Sequence, residues 1–143
     1  PELYARYVGQ PNFSYNGISQ RNHDPITGAV AGADGIKTGF TNQAGYGFLG
    51  SAQRDGRRLV MVVAGAENPA ARKRLSRALI EWGFAAYATR PLFNAGEKIA
   101  DARVQDGNRL SVPLRSEVPI HATFPQGIPG EIKLTLHYNG PVR

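Results

Sequence analysis

Lys37, Thr38 and Gly39 are the residues of this chain whose types and spacing best suit chemistry on a carboxylate. They sit inside Asp34-Gly35-Ile36-Lys37-Thr38-Gly39-Phe40-Thr41. Lys37 brings a compact positive charge, and Thr38 a hydroxyl that donates or accepts a hydrogen bond. Gly39 has no side chain, so a second backbone can lie close to the strand. On one extended segment the three can receive a ligand that ends in a carboxylate. Other chemistry is poorly supplied. His23 adjoins Asp24, but neighbours in extended chain point to opposite faces. His23, His121 and His137 have no metal-ligand spacing, and no cysteine is present to form a disulfide or a thiolate site. Nor is there a phosphate-cradling glycine pattern, so nucleotide binding has no support.

The elements that must position the triplet are legible around it. Ala33 to Phe40 has the character of a strand, 41–44 of a connection, and Gly45 to Ala52 of a second strand. Asp55-Gly56 marks a hairpin turn into the apolar run 59–63, which is expected to be a strand covered on both faces. Gly45, Gly47 and Gly50 suggest close packing on the second strand. Asn68 is a helix cap and Pro69 the first helical residue. Ala71, Leu75, Ala78, Leu79 and Trp82 then form one apolar stripe, with Gly83 ending the helix. Arg77 and Glu81, four residues apart, are placed to pair on its outer face. Upstream, 2–8 has helical spacing ending at Gly9, 13–18 is a short strand or turn, and 23–28 is a loop. Beyond residue 88 the character changes. Residues 89–96 resemble a linker, and strand-like runs follow at 99–105, 109–114, 118–124 and 132–138. The last alternates Ile132, Leu134, Leu136 and Tyr138 with polar residues, the pattern of a half-buried strand.

This block, with Trp82-Gly83-Phe84 after it, resembles the penicillin-binding proteins, and most closely the low-molecular-mass serine D-alanyl-D-alanine carboxypeptidases. The resemblance rests on Asn16-Gly17-Ile18, Asp34 to Gly39, Ala44-Gly45-Tyr46, Ser51-Ala52 and Trp82-Gly83-Phe84, in the family's order and approximate spacing. It implies an α/β (or α+β) fold: an antiparallel sheet packed with helices, β-lactamase/transpeptidase-like, followed by a smaller all-β domain that is cut short. Residues 1–90 would be the C-terminal portion of the catalytic domain and 91–143 the start of the β-rich domain. Lys37, Thr38, Gly39 and Arg72 are implied to bind substrate, with Lys37 also catalytic. The backbone N–H of Phe40 would be one oxyanion donor. Phe40 stands where some members carry histidine, which leaves the backbone donor in place and bears on substrate preference. The family's serine follows a Ser-x-x-Lys pattern, and none of the six serines here has lysine three residues later. Ser14-Tyr15-Asn16 fits a Ser-x-Asn pattern, but only 22 residues lie between Ser14 and Lys37, far fewer than in the family. The nucleophile and the Ser-x-Asn motif are therefore expected upstream in the same protein.

The implied activity is D-Ala-D-Ala carboxypeptidation of peptidoglycan stem peptides through an acyl-enzyme, with β-lactams as inhibitors and no cofactor or metal. The implied location is extracytoplasmic, in the periplasm at the inner membrane, with membrane association only through segments outside this sequence. Two alternatives differ in kind. A class A type β-lactamase shares the Lys-Thr-Gly strand and the helix after it, but such chains end soon after that helix, unlike this one. A non-enzymatic basic module would bind nucleic acid or an anionic surface, for the net charge is +6. The excess lies in residues 1–90, with 11 Lys/Arg against 6 Asp/Glu and a knot at Arg72-Lys73-Arg74-Arg77. The basic and aromatic interleaving of single-strand readers is absent, so nucleic acid is not an expected partner.

Overall fold

A three-stranded antiparallel sheet in the order β3-β4-β5 carries the triplet at its edge. The strands run Ala33–Thr41 (β3), Gly45–Arg54 (β4) and Arg57–Ala66 (β5). The computed structural model describes residues 2–128 and 131–138. Contacts divide the chain into two compact units, Pro1–Ala86 and Tyr87–Arg143. Asp55 and Gly56 both take positive φ, 48° and 77°, the paired left-handed turn that an Asp-Gly hairpin needs. Asn16 and Gly17 repeat it at 48° and 77°, joining Asn12–Tyr15 (β1) to Ile18–Arg21 (β2). A short helix, Glu2–Tyr7 (α1), precedes that hairpin.

The long helix Pro69–Ala86 (α2) packs on one face of the sheet. Its cap forms as the sequence predicts: Ala71 N–H donates to Asn68 Oδ1 at 2.8 Å. The core between helix and sheet holds Ile26, Val30, Phe48, Ala52, Met61 and Ile80. Three expectations for this layer are overturned. The buried helix residues are Ala71, Ser76 and Ile80, while Leu75, Leu79 and Trp82 of the expected stripe are exposed. Small side chains at 71 and 76 let the helix lie close to the sheet. Gly83 does not end the helix, which runs on to Ala86; a Cβ there would sit 3.0 Å from Leu59 Cδ1, so this glycine serves close packing. Glu81 pairs with Arg54 across the layer (2.6 Å) and not with Arg77, because the helix rotation turns it toward β4. Within the described residues β5 is covered on its helix face. Val60 and Val62 are 61% and 67% exposed, while Met61 and Val63 are buried against the helix side. Gly50 meets the packing expected of it: a Cβ would fall 2.4 Å from the Phe48 ring.

In the second unit, Tyr87–Phe93 (β6) pairs with Ile120–Pro125 (β9), and Lys98–Arg103 (β7) pairs with Ser111–Arg115 (β8). The expected linker at 89–96 is thus largely a strand. Its Pro91 is tolerated in a two-stranded ladder beside a register shift between Pro91 and Phe93. Residues 132–138, expected as a strand, form no regular element. Their alternating apolar residues are exposed among the described residues.

Candidate functional site

The site is built on β3. Its register against β4 sets Lys37 opposite Leu49, Thr38 opposite Phe48, Gly39 opposite Gly47 and Phe40 opposite Tyr46. Cross-strand partners share a face, so Lys37 and Gly39 lie on the face away from α2. Thr38 and Phe40 lie on the helix face. Both pairs reach a ligand only if it lies along the free edge of β3, which has no partner strand among the described residues. The Lys37 ammonium is exposed and folds back to donate to the carbonyl of Thr38. Gly39 is open: a Cβ there would meet nothing within 4 Å.

Arg72 stands in the first turn of α2 on the same side as Phe40. Its guanidinium carbon lies 5.8 Å from the Tyr46 ring centroid, and that ring lies 4.3 Å from the Phe40 ring. Nη2 donates to the carbonyl of His23 at 3.4 Å, while Nε is buried without a hydrogen-bond partner. Tyr46 therefore supports Arg72 from below and links it to the end of the triplet strand. No local pattern in the sequence assigns Tyr46 this role, because the contact joins residues 26 positions apart. Beside Arg72 opens a cavity of about 450 Å3, with Arg21, His23, Pro69, Lys73 and Arg77 in its wall. None of residues 37–40 lines it.

Arg77 is not free in that wall, since its Nε donates to the carbonyl of Pro25 at 3.1 Å. The carboxylate of Asp24 is likewise spent: it accepts from the N–H groups of Ile26 (2.7 Å) and Thr27 (3.1 Å) and from the Thr27 hydroxyl (2.6 Å). Asp24 shapes a loop and does not serve His23. Ser14 bonds the hydroxyl of Ser19 across the exposed β1–β2 hairpin at 2.9 Å, which is an ordinary cross-strand contact.

Comparison with known proteins decides the family. A profile described as D-alanyl-D-alanine carboxypeptidase matches residues 3–68, which include the whole triplet strand. The chain belongs to the D-alanyl-D-alanine carboxypeptidase family. It is 36% identical over 135 residues to D-alanyl-D-alanine carboxypeptidase DacA of Haemophilus influenzae, covering 93% of this chain and 34% of that protein. Against D-alanyl-D-alanine carboxypeptidase DacD of Escherichia coli it is 30% identical over 141 residues, covering 98% and 36%. The chain thus spans about a third of the length of the curated carboxypeptidases it matches. Among solved structures, penicillin binding protein 5 from Haemophilus influenzae superposes with a TM-score of 0.75 at 36% identity, over 89% of this chain and 37% of that one. Penicillin-Binding Protein D2 from Listeria monocytogenes, in its cefotaxime bound form, gives 0.53 at 32% identity, over 58% and 34%. The fold is the α+β, transpeptidase-like fold of this carboxypeptidase family. Arg72 lies beyond the segment that the carboxypeptidase profile matches.

Proposed function

We propose that the full-length protein containing this chain is a serine-type D-Ala-D-Ala carboxypeptidase acting on peptidoglycan stem peptides. The observation that carries this is Lys37-Thr38-Gly39 on the open edge of β3 in a chain of that family. The peptide lies along the edge of β3 as an added strand, and the absence of a side chain at Gly39 leaves it room. Lys37 and Thr38 attract the terminal carboxylate from the two faces of the strand, and Arg72 meets it from the helix. The backbone N–H of Phe40 is one donor to the oxyanion as the serine attacks. The serine, its Ser-x-x-Lys lysine and the Ser-x-Asn motif come from upstream in the same protein. Attack releases D-alanine and leaves an acyl-enzyme, which water then hydrolyses; a β-lactam acylates the same serine.

We place the protein outside the cytoplasm, where stem peptides are exposed, at the inner membrane. No helix among the described residues is long and apolar enough to cross a membrane, so attachment falls to other segments. In this reading 1–90 belongs to the catalytic domain and 91–143 opens the β-rich one. The test is covalent labelling of the full-length protein by a fluorescent penicillin, with release of D-alanine from a peptide ending in D-Ala-D-Ala. Absence of both refutes the assignment. Salt-dependent DNA binding in their place supports the basic-module alternative.

A further inference from the structure

β3 does not enter its ladder evenly. Ala33 is opposite Ala52 and Gly35 opposite Ser51, so Asp34 is an extra residue, a β-bulge two residues before Ile36. Side chains alternate along a strand, so one inserted residue moves everything after it to the other face. Without the bulge Lys37 would fall opposite Phe48, which is 2% exposed in the core under α2. With it, Lys37 falls opposite Leu49, away from the helix.

A hydrogen-bonded cluster holds that bulge. Asp34 Oδ2 accepts from Arg58 Nη1 at 2.7 Å. The same guanidinium donates to Ser51 Oγ, the residue opposite Gly35, and to Gln53 Oε1 at 2.7 Å. Gln53 N–H in turn donates to the Gly32 carbonyl at 2.9 Å, just before the strand. Arg58 thus ties together both sides of the irregular step. From above, Gly9 packs on Asp34, and Tyr4 and Val8 press on Gly35, where a Cβ would lie 2.9 Å from the Tyr4 oxygen. The other carboxylate oxygen of Asp34 and the Tyr4 hydroxyl are each buried without a partner. One is an acceptor and the other a donor, and the two groups interact electrostatically. Burial first, and then the Asp34 charge, holds the phenol protonated and able to donate.

We propose that Asp34 is a positioning residue for the Lys37 strand: clamped by Arg58, with Tyr4 packed over the neighbouring Gly35, its carboxylate fixes the bulge that turns Lys37 away from the core and toward the substrate. The link to substrate rests on the carboxypeptidase reading; the bulge and its cluster do not.

The experiment uses the full-length protein with Asp34→Ala, Asp34→Asn and Tyr4→Phe, and Glu81→Gln as an ion-pair control elsewhere in the same unit. Three quantities are measured: the acylation rate by a fluorescent penicillin, amide hydrogen exchange over 35–41, and the melting temperature. Loss of a charge-assisted clamp predicts an acylation rate about tenfold lower for Asp34→Ala. Exchange over 35–41 accelerates, while β4 and β5 stay protected. Asp34→Asn keeps the shape and an acceptor, so it recovers part of the rate, and Tyr4→Phe loses less than Asp34→Ala. Glu81→Gln lowers the melting temperature with normal acylation and normal exchange over 35–41. Wild-type acylation by Asp34→Ala, or exchange accelerated equally throughout the sheet, overturns the proposal. If the wild-type protein itself is not acylated, the carboxypeptidase reading fails and the exchange data decide alone: local acceleration over 35–41 upholds the positioning role, uniform acceleration removes it.

Discussion

Lys37 and Arg72 meet the proposed ligand differently, and their substitutions should separate. Lys37 is exposed and, among the described residues, bonded to the carbonyl of Thr38, so little of the fold depends on its ammonium. A charge-assisted hydrogen bond is worth about 1.5–3 kcal/mol, roughly 10- to 150-fold in rate when it is expressed in the transition state. Lys37→Ala in the full-length enzyme should lower kcat/KM by that much, while Arg109→Ala in the second unit should change it little. Equal, small losses for both remove Lys37 from the site. Arg72 is half-buried over Tyr46, whereas Arg74 is exposed and about 200° around the helix. Arg72→Ala should impair cleavage of a free D-Ala-D-Ala terminus far more than of its amidated analogue, and Arg74→Ala should spare both. Arg72→Lys should recover only part of the loss, because an ammonium cannot reproduce the planar fork. Indistinguishable kcat/KM values for the two alanine variants would make Arg72 a surface arginine.

The elements around the site depend on a few backbone positions. Gly32 precedes β3 with φ of 75°, and a Cβ there would lie 2.0 Å from the carbonyl oxygen of Gln53. Gln53 N–H bonds the Gly32 carbonyl at 2.9 Å, so the clash falls on the contact that anchors the start of the strand. Gly32→Ala should therefore cost at least about 2 kcal/mol of unfolding free energy, read by denaturant titration. Asn68→Ala removes one cap from α2 and should cost about 1 kcal/mol in the same measurement. A larger loss at Asn68 than at Gly32 would show that the helix, and not the entry to β3, limits this layer.

At the level of the molecule, the layer is fastened by charge pairs between distant segments. Arg54 makes a two-pronged contact with Glu81, at 2.9 and 2.6 Å, and reaches the carbonyl of Ala31 at 2.9 Å. The hydrogen bonds from Arg54, and then its charge, draw the Glu81 carboxyl below the usual range, with partial desolvation opposing them. A depressed carboxyl contributes stability that is complete above its unfolded pKa and lost as pH falls through the lower folded value. Both groups are partly exposed, so the contribution is about 1 kcal/mol or less, and smaller in salt. Stability should fall below the ordinary glutamate range, and Glu81→Gln should flatten that part of the pH curve. An identical acid limb in the variant would assign the effect to another carboxyl. The 143-residue chain by itself, with no serine followed by lysine at the third position, should neither label with penicillin nor release D-alanine. Stable labelling of the purified chain would return attention to Ser14.

The sequence by itself determined what a few neighbouring residues can decide. Asp55-Gly56 sets a hairpin, Asn68-Pro69 starts a helix, and the triplet lies in a strand, because these signals act within one turn of chain. The motifs from Asn16 to Phe84 also carried the family, since their order and spacing survive without coordinates. Tertiary structure decided what depends on partners far along the chain. Of the expected stripe on α2 Ala71 is buried, but beside it the helix buries Ser76 and Ile80 in place of Leu75, Leu79 and Trp82, because small side chains at 71 and 76 let Ile80 reach the sheet. Glu81 met Arg54 from 27 residues away in place of Arg77 four residues away, and Ile132 to Tyr138 kept its alternation without becoming a strand. Above all, the face that Lys37 presents was fixed by the bulge at Asp34. Arg58, 24 residues later, holds that bulge, and no local period in the sequence can encode so distant a hydrogen bond.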